Sequence, residues 1–242
     1  MIQSFLTDSV FFGVLISFAT YELGLLLKKK LKLAIFNPIL ISSISIMLFL
    51  MAFHIDYEQY NKGAQYISYL LTPTTVCLAV PLYEQFELLK KNVKAVIAGI
   101  VSGVFTSATC ILALALLFHF DHAQYVTMLP KSITTAIGMG ISEELGGYVT
   151  ITIAVILATG IFGHMISEAI LKLFHIEEPI AKGVAIGTSC HAIGTAKAME
   201  LGEIEGAMSS LSIAVAGFLT VVVSLICANL DSPVPPVTIR YL

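Results

Sequence analysis

The residues best able to do chemistry in this 242-residue chain lie in two short blocks inside an otherwise apolar sequence. The first, SITTAIGMGISEELGG (132–147), offers the hydroxyls of Ser132, Thr134 and Thr135, a helix-interrupting Gly138, and then the adjacent acids Glu143 and Glu144. The second, GTSCHAIGTAKAMELG (187–202), offers Thr188, Ser189, His191, Gly194, Thr195, Lys197 and Glu200. Hydroxyls of this kind can donate to and accept from a small polar ligand, and they can equally satisfy backbone carbonyls freed by a broken helix. The acids are candidates for proton coupling, cation binding or gating, or they are hydrated groups at a membrane boundary. His191 sits where a proton-coupling or anion-contacting group would be useful, or it is a packing residue. Thr74 and Thr75, in LLTPTTVCLAVPLY (70–83), form a third hydroxyl group beside a proline. Lys131, next to Pro130, either snorkels to an interface or pairs with a bound carboxylate. His164 and Glu168 stand one helical turn apart and could pair.

These blocks must be positioned by membrane helices. Hydrophobic residues make up 57% of the chain and charged residues only 12%, with a mean hydropathy of +0.91, outside the range of soluble domains. Long apolar runs favour a helical bundle over a β-barrel. The N-terminal stretch lacks a basic region and a cleavage site, so it is expected to remain as the first helix. Cys77, Cys110, Cys190 and Cys227 are scattered in apolar surroundings and read as free, buried thiols. The net charge of -3 and dispersed lysines give no footprint for nucleic acid. His119, Asp121 and His122 in HFDH are a weak metal signal, and a solvated loop is favoured, so no metal or cofactor is expected. No Walker A motif, GxSxG elbow, HExxH helix or dinucleotide fingerprint is present, which argues against an enzyme.

Full spans are expected at about 9–27, 33–53, 92–118, 147–174 and 206–229, with interrupted apolar segments at 66–84, 126–146 and 183–203. Interruption at membrane depth means backbone that leaves the helix and finds partners in protein or a water-lined cavity. KKKLK (28–32) and Lys90, Lys91 and Lys94 mark cytoplasmic loops, putting the N-terminus outside. If 126–146 crossed fully, Lys172 and Lys182 would fall outside; a re-entrant hairpin keeps them inside, so charge favours the hairpin. A shift of 56 residues lays AIGMGISEELG (136–146) on AIGTAKAMELG (192–202) with Gly138, Glu144 and Gly146 matched to Gly194, Glu200 and Gly202, the mark of an internal repeat. Under the hairpin topology the two copies enter from opposite faces, an inverted pair whose half-helix N-termini suit a carboxylate. Residues 1–60 are then N-terminal helices for scaffold or oligomer contacts, 61–230 a transport-like core, and 231–242 a Pro-rich tail.

The blocks LLTPTTVCLAVPLY, LPKSITTAIGMGISEELGG and GTSCHAIGTAKAMELGEIEGAMSSLSIAVAGFLTVV resemble the signature segments of the LrgB/CidB family, and the likeness runs from the first helix to about residue 230. The resemblance implies a multi-pass bacterial plasma-membrane protein made alongside a holin-like partner of the LrgA/CidA type. It implies an antiholin-like role in murein hydrolase control and autolysis. The family is also similar to the LrgB-like half of a plastid glycolate/glycerate translocator, and bacterial relatives are associated with pyruvate uptake. A pore modulator has no need of repeated broken helices ending in acids and a histidine. The leading expectation is therefore an all-helical, elevator-type carrier of small monocarboxylates, coupled to H+, in the lipid bilayer and assembled as a homodimer. An antiholin-like regulator acting through hetero-oligomers is the alternative.

Overall fold

The computed structural model describes residues 9, 11–31, 36–77 and 79–229. The regular structure among them is all helix. The chain divides into two compact units, residues 1–78 and 79–242. The Pro-rich tail lies outside the described residues.

The first unit holds α1 (Phe12–Leu31), α2 (Pro38–Phe53), α3 (Tyr57–Ser68) and α4 (Leu71–Cys77). Helix α2 is shorter than the expected 33–53 span. Asn37 caps it at the N-terminus, its Oδ1 accepting from the backbone N–H of Ile39 (2.9 Å) and Leu40 (3.3 Å), and Pro38 takes the first helical position. Helix α1 packs against both α2 and α3, with Thr20 and Ser42 hydroxyls 2.9 Å apart and Ser17 and Tyr60 hydroxyls also 2.9 Å apart. Such interhelical hydroxyl pairs suit an apolar setting where each polar group must find a protein partner. Residues 61–68 thus group with the N-terminal helices. The expected interruption of 66–84 is present, since α3, α4 and α5 (Ala79–Glu84) are separate short helices.

The second unit contains α5, α6 (Phe86–Leu117), α7 (His122–Met128), α8 (Thr135–Glu144), α9 (Val149–Leu173), α10 (Pro179–Leu201) and α11 (Glu203–Asn229). Helices α6, α9 and α11 are each long and apolar enough to cross a membrane. At 1.5 Å per residue α6 is about 48 Å long, more than a hydrocarbon core of about 30 Å, so its lysine-bearing start projects beyond it. Val96, Ile100 and Val104 of α6, Val184 of α10, and Ala207, Met208 and Ala216 of α11 form the main apolar core.

Between these helices the chain folds back twice. Asp121 and Gln124 form a capping box that starts α7, with Asp121 Oδ1 accepting from Gln124 N at 2.7 Å. The chain then breaks over 129–134, runs up α8, and returns to its starting point. Tyr148 N donates to Thr127 Oγ1 at 2.8 Å, and Thr152 Oγ1 lies 3.0 Å from the Thr127 carbonyl and 2.8 Å from Ser142 Oγ. Residues 127–148 are therefore a closed hairpin, not a crossing.

Helix α10 is a second hairpin. Its backbone leaves helical geometry at His191 (φ 44, ψ -143), giving a first arm of 179–190 and a second of 192–201. Both arms pass the same stretch of α11 in opposite directions: Gly183 lies against Glu205 and Met208 while Met199 lies against Gly206, and Gly187 and Thr195 both meet Ser209. The two hairpins have their bases at opposite ends of α9. Lys90, Lys91 and Lys94 at the start of α6, Lys172 at the end of α9, and Lys182 at the base of the α10 hairpin consequently share one end of the unit, the arrangement the positive-inside rule requires.

Candidate binding site between two hairpin tips

The tips meet halfway along α9. His191 Nε2 is 2.9 Å from the carbonyl of Ile156, so this nitrogen carries a hydrogen and donates it. The ring also packs on Gly160, and His164 Nδ1 is 3.2 Å from the carbonyl of Ile193. From the other side, Gly138 near the start of α8 is pressed between Pro130 and Ile156. Both reversals thus lie at the level of residues 156–160.

Lys131 occupies this junction. Its Nζ donates to Ser132 Oγ at 2.7 Å, and among the described residues no carboxylate forms an ion pair with it. The chain breaks at Pro130, which cannot donate a helical hydrogen bond, and resumes as helix at Thr135, with Thr134 in extended geometry at the N-cap. The amine is held by the tip, at the level of residues 156–160 of α9. The same amine borders a cavity of about 490 Å³ between α9 and the first arm of α10, lined also by Phe162, Gly163, Ser189 and Cys190.

Two half-helices begin here, α8 after Thr134 and the second arm of α10 after His191. Each presents unpaired backbone N–H groups and a partial positive charge. The first arm of α10 ends here and contributes the opposite polarity. Thr188 and Ser132 are buried, and Thr188 Oγ1 has no hydrogen-bond partner.

Other expected residues divide by role. Thr195 Oγ1 donates to the His191 carbonyl at 3.0 Å and lies 2.7 Å from Ser209 Oγ, fastening the second arm to α11. Gly194 gives room to Cys190 and Ile186. Ser189 bonds back to the Ala185 carbonyl at 2.6 Å. Thr135 opens α8. Glu143 and Glu144 are exposed at the far end of α8, about 13 Å of helix from the tip. Glu200 is exposed at the end of the second arm, 3.2 Å from Lys197, which also reaches Glu168 at 3.2 Å. Glu168 in turn meets Lys172 at 2.9 Å. The acids thus stand at the hairpin bases, not at the tips. Thr74 is exposed on α4 in the first unit, and the Thr75 side chain lies outside the described residues. Among the described residues no group of three or more His, Cys, Asp or Glu could hold a metal.

An all-helical protein with apolar spanning helices and two opposed hairpins is a multi-pass membrane protein. The chain belongs to the LrgB-like family, whose model matches residues 17–230. It is 37% identical over 218 residues to the antiholin-like protein LrgB of Bacillus subtilis (strain 168), covering 90% of this chain and 94% of that protein. The antiholin-like LrgB proteins of Bacillus mycoides (strain KBAB4) and Bacillus cereus (strain B4264) are likewise 37% identical, covering 90% of this chain and 95% of each. No solved structure matches the chain. These relationships and the three spanning helices define a multi-pass bacterial membrane protein.

Proposed function

We propose that the protein is a carrier of small monocarboxylates, of the pyruvate, glycolate or glycerate type, with the carboxylate bound at Lys131 between the hairpin tips. The carrying observation is the part-buried lysine at mid-depth with no carboxylate partner among the described residues. An uncompensated ammonium in an apolar setting is costly, and two half-helix N-termini facing the same point add to the demand for an anion. The parallel between α8, the turn at Gly146 and α9, and the second arm, the turn at Gly202 and α11, supports reading the two as an inverted repeat of the kind that underlies alternating access. An elevator-like movement of the second unit and coupling to H+ extend this reading, with Lys197, Glu168 and Glu200 as a latch at one hairpin base. The role is binding and passage, not catalysis.

The name of the relatives, antiholin-like protein LrgB, favours the second reading more than the first. On that reading the chain regulates murein hydrolase activity and autolysis through hetero-oligomers with an LrgA/CidA-type protein. The two are separated by purified protein in liposomes. Uptake of labelled pyruvate or glycolate is expected from the chain alone or with its partner, falling at least about tenfold in Lys131→Met. Absence of uptake with and without the partner would leave only the regulatory reading, and full uptake by Lys131→Met would remove Lys131 as the carboxylate site.

A further inference from the structure

A second, much smaller cavity lies on the other side of the tips, enclosed by α6, the first hairpin, the first arm of α10 and α11. Its volume is about 10 Å³, room for one water-sized sphere, and its polar lining is the hydroxyls of Ser107, Ser132, Thr188, Thr220 and Ser224. Thr188 is only 7% exposed, yet its Oγ1 has no hydrogen-bond partner, and neither has Ser107 Oγ. Buried hydroxyls without partners are rare in folded proteins because each leaves its desolvation uncompensated. Thr188 also lies in the last turn of the first arm, where the closing carbonyls of the half-helix lack intrahelical donors and carry the negative end of its dipole.

We propose that this cavity is a monovalent-cation site, with Na+ as its occupant, loaded together with the carboxylate at Lys131. Neutral oxygen donors in a space of one water-sized sphere suit a small hard cation, and the absence of carboxylate ligands in the lining argues against Ca2+. Lys131 donates to Ser132, which lines the cavity, so the ammonium and the cation repel each other across one hydroxyl. A carboxylate bound to Lys131 cancels that repulsion. Each ligand therefore strengthens the binding of the other by the same factor. The coupling rests on the carboxylate reading; the cation site by itself does not.

The test compares the full chain in NaCl and in choline chloride at equal ionic strength. Na+ is expected to lower the KM for pyruvate uptake about 5- to 100-fold. Thr188→Val, which removes one ligand at nearly constant shape, is expected to lose the difference in KM between the two salts. An equal KM in the two salts overturns the proposal. Should no carboxylate be moved in either salt, thermal unfolding decides the cation site alone. Lys131→Met, or Lys131→Gln if the first variant does not fold, lacks the repelling charge and is expected to gain a Na+-specific rise in Tm that disappears when Thr188→Val is added. No Na+-specific rise, or one that survives Thr188→Val, overturns the site.

Discussion

His191 shows how one residue fixes the second hairpin. Its φ of 44 and ψ of -143 lie in a region that residues with a Cβ rarely occupy, at a cost on the order of 1–3 kcal/mol. The ring offsets part of this by donating to Ile156 and packing on Gly160. His191→Ala keeps the backbone cost and loses the hydrogen bond, whereas His191→Gly loses both together. His191→Gly is therefore expected to be more stable than His191→Ala by about 1–3 kcal/mol. Thermal unfolding of the two variants checks this, and equal stabilities would mean that the reversal carries no strain. The importance of position 191 was legible in the sequence as a histidine in a Gly-, Ser- and Thr-rich block. That it is the point of reversal was not, since the glycines around it offered more obvious breaks. The two readings of Lys131 stayed open for a related reason: whether a lysine beside Pro130 reaches an interface or a junction depends on what the second hairpin places opposite it.

Gly183 and Gly187 looked like interruptions, but both lie within the regular first arm of α10. They serve approach: a Cβ at Gly183 would meet the backbone of Glu205, and one at Gly187 the backbone of Ser209. Without a large hydrophobic driving force between membrane helices, close backbone contact supplies much of the association energy. Gly187→Val is expected to push the first arm off α11 and lower stability by about 1–3 kcal/mol, more than Gly140→Val, where nothing lies within 4 Å. Equal losses at the two positions, read as shifts in Tm, would count against close packing as the anchor of this hairpin. The matched blocks lie on α8 and on the second arm of α10. They also set the acids at matching places, and the helix lengths then carry those acids to the bases: Glu144 closes α8 and Glu200 the second arm, each about 13 Å from its own tip.

At the scale of the whole molecule, the lysines and the hairpins make one argument. Charge alone favoured a hairpin over 126–146, because only that path brings Lys172 and Lys182 to the end that holds Lys90, Lys91 and Lys94. The contact between Tyr148 and Thr127 closes the same path independently. The two hairpin bases must then open on opposite faces of the membrane, Glu144 on the external side and Glu200 on the cytoplasmic side. With the four native cysteines replaced by serine or alanine, Glu144→Cys is expected to react with a membrane-impermeant maleimide added to intact cells, while Glu200→Cys reacts only after the cells are opened. Labelling of both from the same face would mean that one hairpin crosses the membrane after all. The opposed tips, and with them the proposed anion site, would fall with it.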